Sequence, residues 1–307
     1  MKQPKKIILL AGPTASGKSK LAIHLANHLN SEIINADSMQ IYKEISILTS
    51  KPSLKDRKII KHHLYGLVSV KKKFSTGHWL HIVIKKIKEQ WRKGKIPIVV
   101  GGTGLYFKAL TDGLVKIPEI PNKLRFSIRK LHRNIGQKFF YNQLLILDPL
   151  AKKFVMASDT QRSIRAYEVK KFTNKSLFDY KVKTKSNFNK KVFIKLFINI
   201  PKDLLHQKVD KRVEKMFNNG VVNEVKNFVK MKVNADLSAN KIIGVEEIND
   251  YLKGKVTLDK AKDLIKQKTR QYAKRQFTWA RGHMKSWKMI YSSDLNDLFR
   301  KAINKIS

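Results

Sequence analysis

Gly12-Pro13-Thr14-Ala15-Ser16-Gly17-Lys18-Ser19 reads as G-x-x-x-x-G-K-[ST], and what flanks it decides the fold. Before it, Lys6–Ala11 is a short apolar run of the kind that forms a parallel strand buried on both faces. After it, Leu21, Leu25 and Leu29 recur every fourth residue and predict an amphipathic helix from Lys18 to about Leu29. A strand, a glycine-rich turn and a helix in that order make an anion cradle. The glycines let backbone N–H groups converge on phosphate oxygens, and the helix N-terminus adds its positive dipole end. Lys18 is expected to reach the outer phosphate and the Ser19 hydroxyl to hold Mg²⁺. The motif specifies a di- or triphosphate; it does not specify hydrolysis.

Outward from the cradle, Glu32–Asp37 reads as a second strand and Trp79–Trp91 as a helix through Ile82, Val83 and Ile87. Ile96–Val100 is a third strand, closed by Gly101-Gly102. Strands alternating with helices predict an α/β fold of the P-loop type, a parallel sheet flanked by helices. From about Val115 to Lys191 the chain shows helical patches but no strand pair, and 181–187 is a basic linker. Val192–Ile198 resumes strand character, and from Lys202 onward the pattern is mostly helical. The expected organisation is a core of 1–114 and 192–307 with a helical insertion at 115–191.

Across 307 residues, 65 Lys and Arg against 23 Asp and Glu give a net charge of +42, which calls for a polyanionic partner, nucleic acid or an anionic membrane surface. Lys, Ile and Asn are abundant everywhere, so part of this charge is compositional. The absence of cysteine excludes disulfides, Cys-type zinc sites, iron–sulfur clusters and thiol catalysis. No apolar run approaches the ~18 residues of a membrane span. Met1–Gly12 imitates a signal peptide through Lys2, Lys5, Lys6 and Ile7–Leu10, but its apolar run is too short and enters the glycine turn. A cytoplasmic protein without membrane contact is expected.

An NTP hydrolase would need an acid at the end of a Walker-B strand, a water-positioning group and often an arginine finger. The Ile96–Val100 strand instead runs into Gly101-Gly102-Thr103-Gly104. Asp37 is the carboxylate that ends a strand. Because ligands in open α/β sheets sit beyond the carboxyl ends of strands, Asp37 and Thr103 should both face the phosphate site. Asp37 can there bind Mg²⁺, act as a base, or merely cap a following helix.

Asp37-Ser38-Met39-Gln40-Ile41-Tyr42, Thr49-Ser50-Lys51-Pro52 and His62-His63-Leu64 resemble the tRNA dimethylallyltransferase (isopentenyltransferase) family. So do Gly101-Gly102-Thr103-Gly104-Leu105-Tyr106, the Asp159–Val169 stretch and Gln271–Trp279, so that nearly the whole chain is covered in order. The resemblance implies transfer of the dimethylallyl group of dimethylallyl diphosphate to N6 of the adenosine 3′ to the anticodon, in tRNAs reading codons that begin with U. The P-loop would then hold the diphosphate leaving group, which accounts for the missing hydrolytic parts. Asp37 would be the general base, with Thr103, Lys18, Mg²⁺ and a further cation compensating charge. Arg212 is the candidate for that cation. Leu205, Val209, Val213 and Met216 form an apolar stripe, and Arg212 lies about 20° from Leu205 at its border. Asp37, Ser38, Met39, Gln40, Thr103 and Arg125, together with Gln161, Arg162, Ser163, Ile164 and Arg165 of the insertion, would contact tRNA. A monomer is expected.

Ser158-x-x-Gln161 reads as a capping box opening the Gln161–Arg165 helix, on which Arg165 and Glu168 are spaced for an ion pair. Gly244-Val245-Glu246-Glu247 departs from the family's G-Y-[RK]-[EQ] block, losing a Tyr and a basic residue. His24/His28 and His78/His81 read as surface pairs, and Lys71-Lys72-Lys73 as a solvated run. Lys262, Lys266, Arg270, Lys274 and Arg281 form a candidate backbone-binding stripe. The rival readings are a P-loop nucleoside or nucleotide kinase, an RNA-binding or RNA-remodelling P-loop protein, and a prenyltransferase acting on free AMP.

Overall fold

The computed structural model describes residues 5–181 and 184–306, so that Lys2 and, in the linker, Val182 and Lys183 lie outside the described residues. The chain divides into two compact units, one running to Thr111 and resuming at Asn187, the other Asp112–Ser186. In the first unit β1 (Ile7–Ala11), β2 (Ile33–Asn35), β3 (His62–His63), β4 (Ile98–Gly101), β5 (Phe193–Asn199) and β6 (Lys288–Tyr291) form one sheet. The order is β3-β2-β4-β1-β5-β6 and every pairing is parallel. β1 is central and buried along its whole length, which is why it reads as an unbroken apolar run rather than an alternation.

Among the connections are α1 (Lys18–His28), α2 (Leu54–Ile59), α3 (Thr76–Arg92) and α4 (Gly104–Asp112). Leu21 and Leu25 of α1 pack on Ile8, Leu10 and Ile98, as the four-residue spacing predicts. α3 secures its place with the Trp79 indole N–H, which donates to the Asn35 carbonyl at 2.8 Å, while the ring stacks on Tyr106. The second unit holds α5 (Asn122–Leu147), broken at Gly136, then α6 (Ala151–Phe154), α7 (Thr160–Thr173) and α8 (Leu177–Lys181). Its own core gathers Ile128, Phe140 and Ile164 in one cluster and Leu144, Ala166 and Phe178 in another. The first unit ends with α9 (Lys202–Asn218), α10 (Val221–Lys230), α11 (Val245–Leu252), α12 (Leu258–His283) and α13 (Leu295–Ile306).

The sequence reading passes over β3 and β6. Both are edge strands: β3 is two residues long, and β6 is half exposed and begins with a lysine. Neither offers the apolar run by which an inner strand is recognised. β2 is also shorter than expected, so Asp37 lies in the turn beyond the strand. Among the described residues no helix is long and apolar enough to cross a membrane.

The chain after β2 and the end of β4 approach closely: Ala36 N–H donates to the Val100 carbonyl at 2.7 Å, and Thr103 N–H to the Ala36 carbonyl at 3.2 Å. A Cβ on Gly101 would overlap the Ala36 carbonyl, and one on Gly104 the Trp279 indole. Gly101→Ala is therefore expected to cost about 1–3 kcal/mol in urea unfolding, the range for forcing volume into a packed site. Gly282→Ala, in open space on α12, should instead stabilise by about 0.5–1 kcal/mol. Equal midpoints for the two variants would contradict this packing.

Candidate active site

The cradle forms between β1 and α1. Gly17 precedes α1 with φ 88°, and Ala15 also takes a positive φ of 62°, so the loop curls its backbone inward. Lys18 Nζ folds back to the Pro13 carbonyl at 3.1 Å. The Ser16 hydroxyl is fully buried and has no partner within the protein. Burial holds the Lys18 ammonium down to about 8; Asp37 opposes this and Arg212 adds to it.

Arg212 comes from α9, where Leu205, Val209, Val213 and Met216 are buried and seat the helix against the core. Its Nη1 donates to Thr14 Oγ1 at 2.9 Å, and its buried Nε has no protein partner. The border position on the helix thus becomes a reach into the cradle. Burial lowers the Arg212 pKa, with Asp37 and Tyr272 acting the other way.

Asp37 sits in a fixed turn. Its N–H donates to Asn35 Oδ1 at 2.8 Å, and its Oδ1 accepts the Met39 N–H at 2.9 Å. Asn35, fully buried, also donates to the Asp37 and Leu64 carbonyls. Asp37 caps no helix, contrary to one sequence reading: the next one, α2, is capped by Ser53. Burial raises the pKa values of Tyr65, Tyr106 and Tyr272, and the Asp37 charge adds to each.

Two cavities adjoin this turn. The first, about 430 Å³, is lined by Thr14, Lys18, Ser19, Asp37, Gln40 and Arg212 among others. The second, about 360 Å³, is mostly apolar; Met39, Phe107, Tyr272 and Trp279 line it together with Ser38 and Thr103. Thr103 therefore faces the apolar cavity, whereas the sequence reading has it share the phosphate site with Asp37. Its Oγ1 accepts the Ser38 N–H at 2.9 Å and lies 3.2 Å from Ser38 Oγ. Gln40 closes the other side by donating to the Thr49 and Ser50 carbonyls.

Sequence reasoning misses the residue that ties these parts together. Gln276 Oε1 accepts the Thr14 N–H at 2.8 Å and its Nε2 donates to the Gly102 carbonyl at 3.0 Å, so α12 fixes the cradle against the turn after β4. The separation of 262 residues hides this, although Gln276 stands within the quoted Gln271–Trp279 block.

In the second unit, α7 is capped by Asp159, which accepts the Arg162 N–H, and not by a Ser158–Gln161 box. Ser163 and Ile164 are buried in that unit, which leaves Gln161, Arg162 and Arg165 with side chains at its surface. Arg165 pairs with Glu168 at 3.2 Å, and Arg125 and Arg129 approach the same buried carboxylate at 3.5 and 3.6 Å. Arg129 escapes the sequence reading because its partner lies on another helix.

Part of the α12 stripe is engaged within the fold, while Lys274 and Arg281 are exposed. Lys262 and Lys266 pair with Glu214, and Arg270 with Asp210, so these cations bind α9. Glu247 accepts the Gly244 N–H at 2.7 Å and pairs with Lys268, a structural use for the acid that this block retains. His24 and His28 are exposed and meet the Phe299 edge. Among the described residues no group of three or more His, Cys, Asp or Glu could hold a metal ion.

The description "IPP transferase" fits residues 40–283, and "Isopentenyl transferase" fits residues 5–66. The tRNA dimethylallyltransferase of Pelagibacter ubique is 52% identical over 301 residues, 98% of this chain and 96% of that protein. The crystal structure of the tRNA isopentenylpyrophosphate transferase of Bacillus halodurans is 29% identical with a TM-score of 0.71, covering 99% of this chain and 96% of that one. A eukaryotic dimethylallyltransferase acting on tRNA is 29% identical with a TM-score of 0.85, covering 99% of this chain and 78% of that one. With the P-loop cradle, the carboxylate turn and agreement along nearly its whole length, the chain belongs to the IPP transferase family and is a prenyltransferase.

Proposed function

We propose that the protein transfers the dimethylallyl group of dimethylallyl diphosphate to N6 of the adenosine 3′ to the anticodon in tRNAs reading codons that begin with U. N6-(dimethylallyl)adenosine forms and diphosphate leaves. The observation that carries this reading is the place of Asp37, on the wall of a cationic cavity and one residue from Ser38, which lines an apolar one. Lys18, Arg212 and the P-loop N–H groups suit a diphosphate, and the cavity walled by Met39, Phe107, Tyr272 and Trp279 suits a flat base and a branched hydrocarbon.

The adenine N6 lone pair is delocalised into the ring and attacks poorly unaided. In the proposed step N6 bonds to the allylic carbon, the carbon–oxygen bond breaks, and its electron pair leaves with diphosphate. Asp37 takes the N6 proton. Lys18 and Arg212 answer the charge growing on the leaving group, and Thr103 fixes the Ser38 turn beside the base. For Mg²⁺ the donor chemistry fits: the Ser19 hydroxyl is a hard oxygen at the cavity wall, and Ser16 Oγ is buried without a protein partner. Ser19 would hold the ion, which when bound neutralises diphosphate charge.

On the second unit, Arg125, Gln161, Arg162 and Arg165 are assigned to the anticodon stem-loop, where guanidinium and amide groups hold a base splayed from its stack. The buried Ser163 and Ile164 are assigned to shaping that helix.

Asp37→Asn should leave both ligand affinities nearly intact and lower turnover ~10²–10⁴-fold, the usual contribution of general-base catalysis. Near-normal turnover in a single-turnover assay would remove the base assignment. Lys18→Ala and Arg212→Ala should weaken dimethylallyl diphosphate and spare tRNA, whereas Gln161→Ala and Arg165→Ala should do the reverse. A lost charge-assisted hydrogen bond corresponds to ~10–150-fold in affinity. Two titrations on the four variants, one per ligand, check the separation; tRNA binding at wild-type strength by both α7 variants would contradict it.

A further inference from the structure

A parallel sheet brings every strand start to one edge, and in this chain the neighbouring strand starts are lysine-rich. Lys5 and Lys6 precede β1, Lys95 precedes β4, Lys190 and Lys191 precede β5, and Lys288 opens β6. These four strands are adjacent in the order β4-β1-β5-β6. At ~4.8 Å between strands, their cations cross roughly 15 Å of sheet edge. α3 extends the row, since Lys85, Lys88 and Arg92 fall at i, i+3 and i+7 on one exposed face.

Two recesses lie along this edge. One, about 1150 Å³, is lined by Lys6, Lys85, Lys88, Arg92 and the Trp91 indole among others. The other, about 450 Å³, is lined by Lys190, Lys191, Lys195 and Lys288, and Lys6 lines both. Among the described residues no Asp or Glu lines either one. Lys95 is paired with Glu32 at 2.9 Å, and Lys288 donates to the Lys305 carbonyl. Among the described residues, Lys6, Lys85, Lys88, Arg92, Lys190 and Lys191 enter no ion pair. Trp91 Nε1 is bound to the Lys6 carbonyl at 2.8 Å and Lys5 Nζ lies 5.7 Å from the ring, so the indole fixes the segment that carries both lysines.

We infer that this amino edge of the sheet is a second RNA-binding surface, a cation row that takes the phosphodiester backbone without reading sequence. It is distinct from the catalytic cavities, which lie at the carboxyl edge beyond the far end of β1, ~16 Å away along its five residues. The occupant follows from charge and shape. Lys6, Lys190 and Lys191 at two adjacent strand starts, continued by Lys85, Lys88 and Arg92 on α3, leave a row of cations without ion pairs that suits a chain of phosphates. An anionic membrane would also attract these cations, but it is flat, does not enter recesses, and anchors stably only where apolar groups insert beside the basic patch. None of the large exposed hydrophobic residues lines either recess. The inference stands on this edge alone and does not depend on prenyl transfer.

The test uses the full chain, a short RNA hairpin without adenosine in its loop, and salt from 50 to 200 mM. The variants are Lys85→Ala/Lys88→Ala/Arg92→Ala on α3 and, independently, Lys190→Ala/Lys191→Ala before β5. For the triple variant, hairpin affinity at 100 mM salt should fall at least tenfold. The slope of log affinity against log salt should shrink by about two, since each lost phosphate contact accounts for ~0.7–0.9. The double variant should lose about two-thirds as much, and turnover at saturating substrates should not change for either. Wild-type slope and affinity in both variants would overturn the inference. So would anionic phospholipid vesicles that displace the hairpin from wild-type protein but not from the triple variant, which would assign the edge to a membrane.

Discussion

Lys18 and Arg212 are cations that the fold buries beside a single carboxylate, Asp37. Burial works against both: it draws the Lys18 ammonium down to about 8 and lowers the Arg212 pKa. Asp37 answers part of this charge, and the Ser16 hydroxyl and the Arg212 Nε are left buried without protein partners. The cradle is therefore electrostatically incomplete on its own. In the proposed reaction an incoming diphosphate would supply the missing negative charge and hydrogen-bond acceptors together, so its arrival would relieve a desolvation cost already incurred in folding.

Most of the surrounding architecture serves to keep these three groups in register. β1 delivers the P-loop from the centre of the sheet, Asn35 fixes the Asp37 turn, and the apolar stripe of α9 aims Arg212 at Thr14. Gln276 then locks the P-loop to the turn after β4 from the far end of the chain. The close approach that excludes a side chain at Gly101 belongs to the same arrangement, because it presses the Ala36–Ser38 backbone against Thr103. Stability and site geometry are thus specified by the same contacts.

The parts legible from sequence are those whose signal is contiguous. The P-loop, the inner strands, α1 and α3 each carry their periodicity or motif within one stretch, and Arg212 could be placed because a helix has a fixed angle per residue. What escaped depends on partners distant in the chain. Gln276 looks like any other helical residue until Thr14 is set beside it, and Lys262, Lys266 and Arg270 look like an RNA stripe until Glu214 and Asp210 are set beside them. Edge strands β3 and β6 lack the apolar runs that burial on both faces imposes. The α7 cap went to Asp159 rather than to its neighbour Ser158, a shift of one residue that side-chain identity alone does not decide. The net charge of +42 was legible at once, yet the residues that could use it became visible only when parallel strands aligned their lysine-rich starts on one edge.

The central claim is that the cradle holds a leaving group for alkyl transfer, not a nucleotide for hydrolysis. It is tested most directly by incubating the protein with tRNA, dimethylallyl diphosphate and Mg²⁺, digesting the RNA and analysing its nucleosides by mass spectrometry. The account predicts an adenosine carrying one dimethylallyl group on N6, appearing one-for-one with released diphosphate and without any need for ATP. Unmodified adenosine together with RNA-stimulated ATP hydrolysis would contradict it.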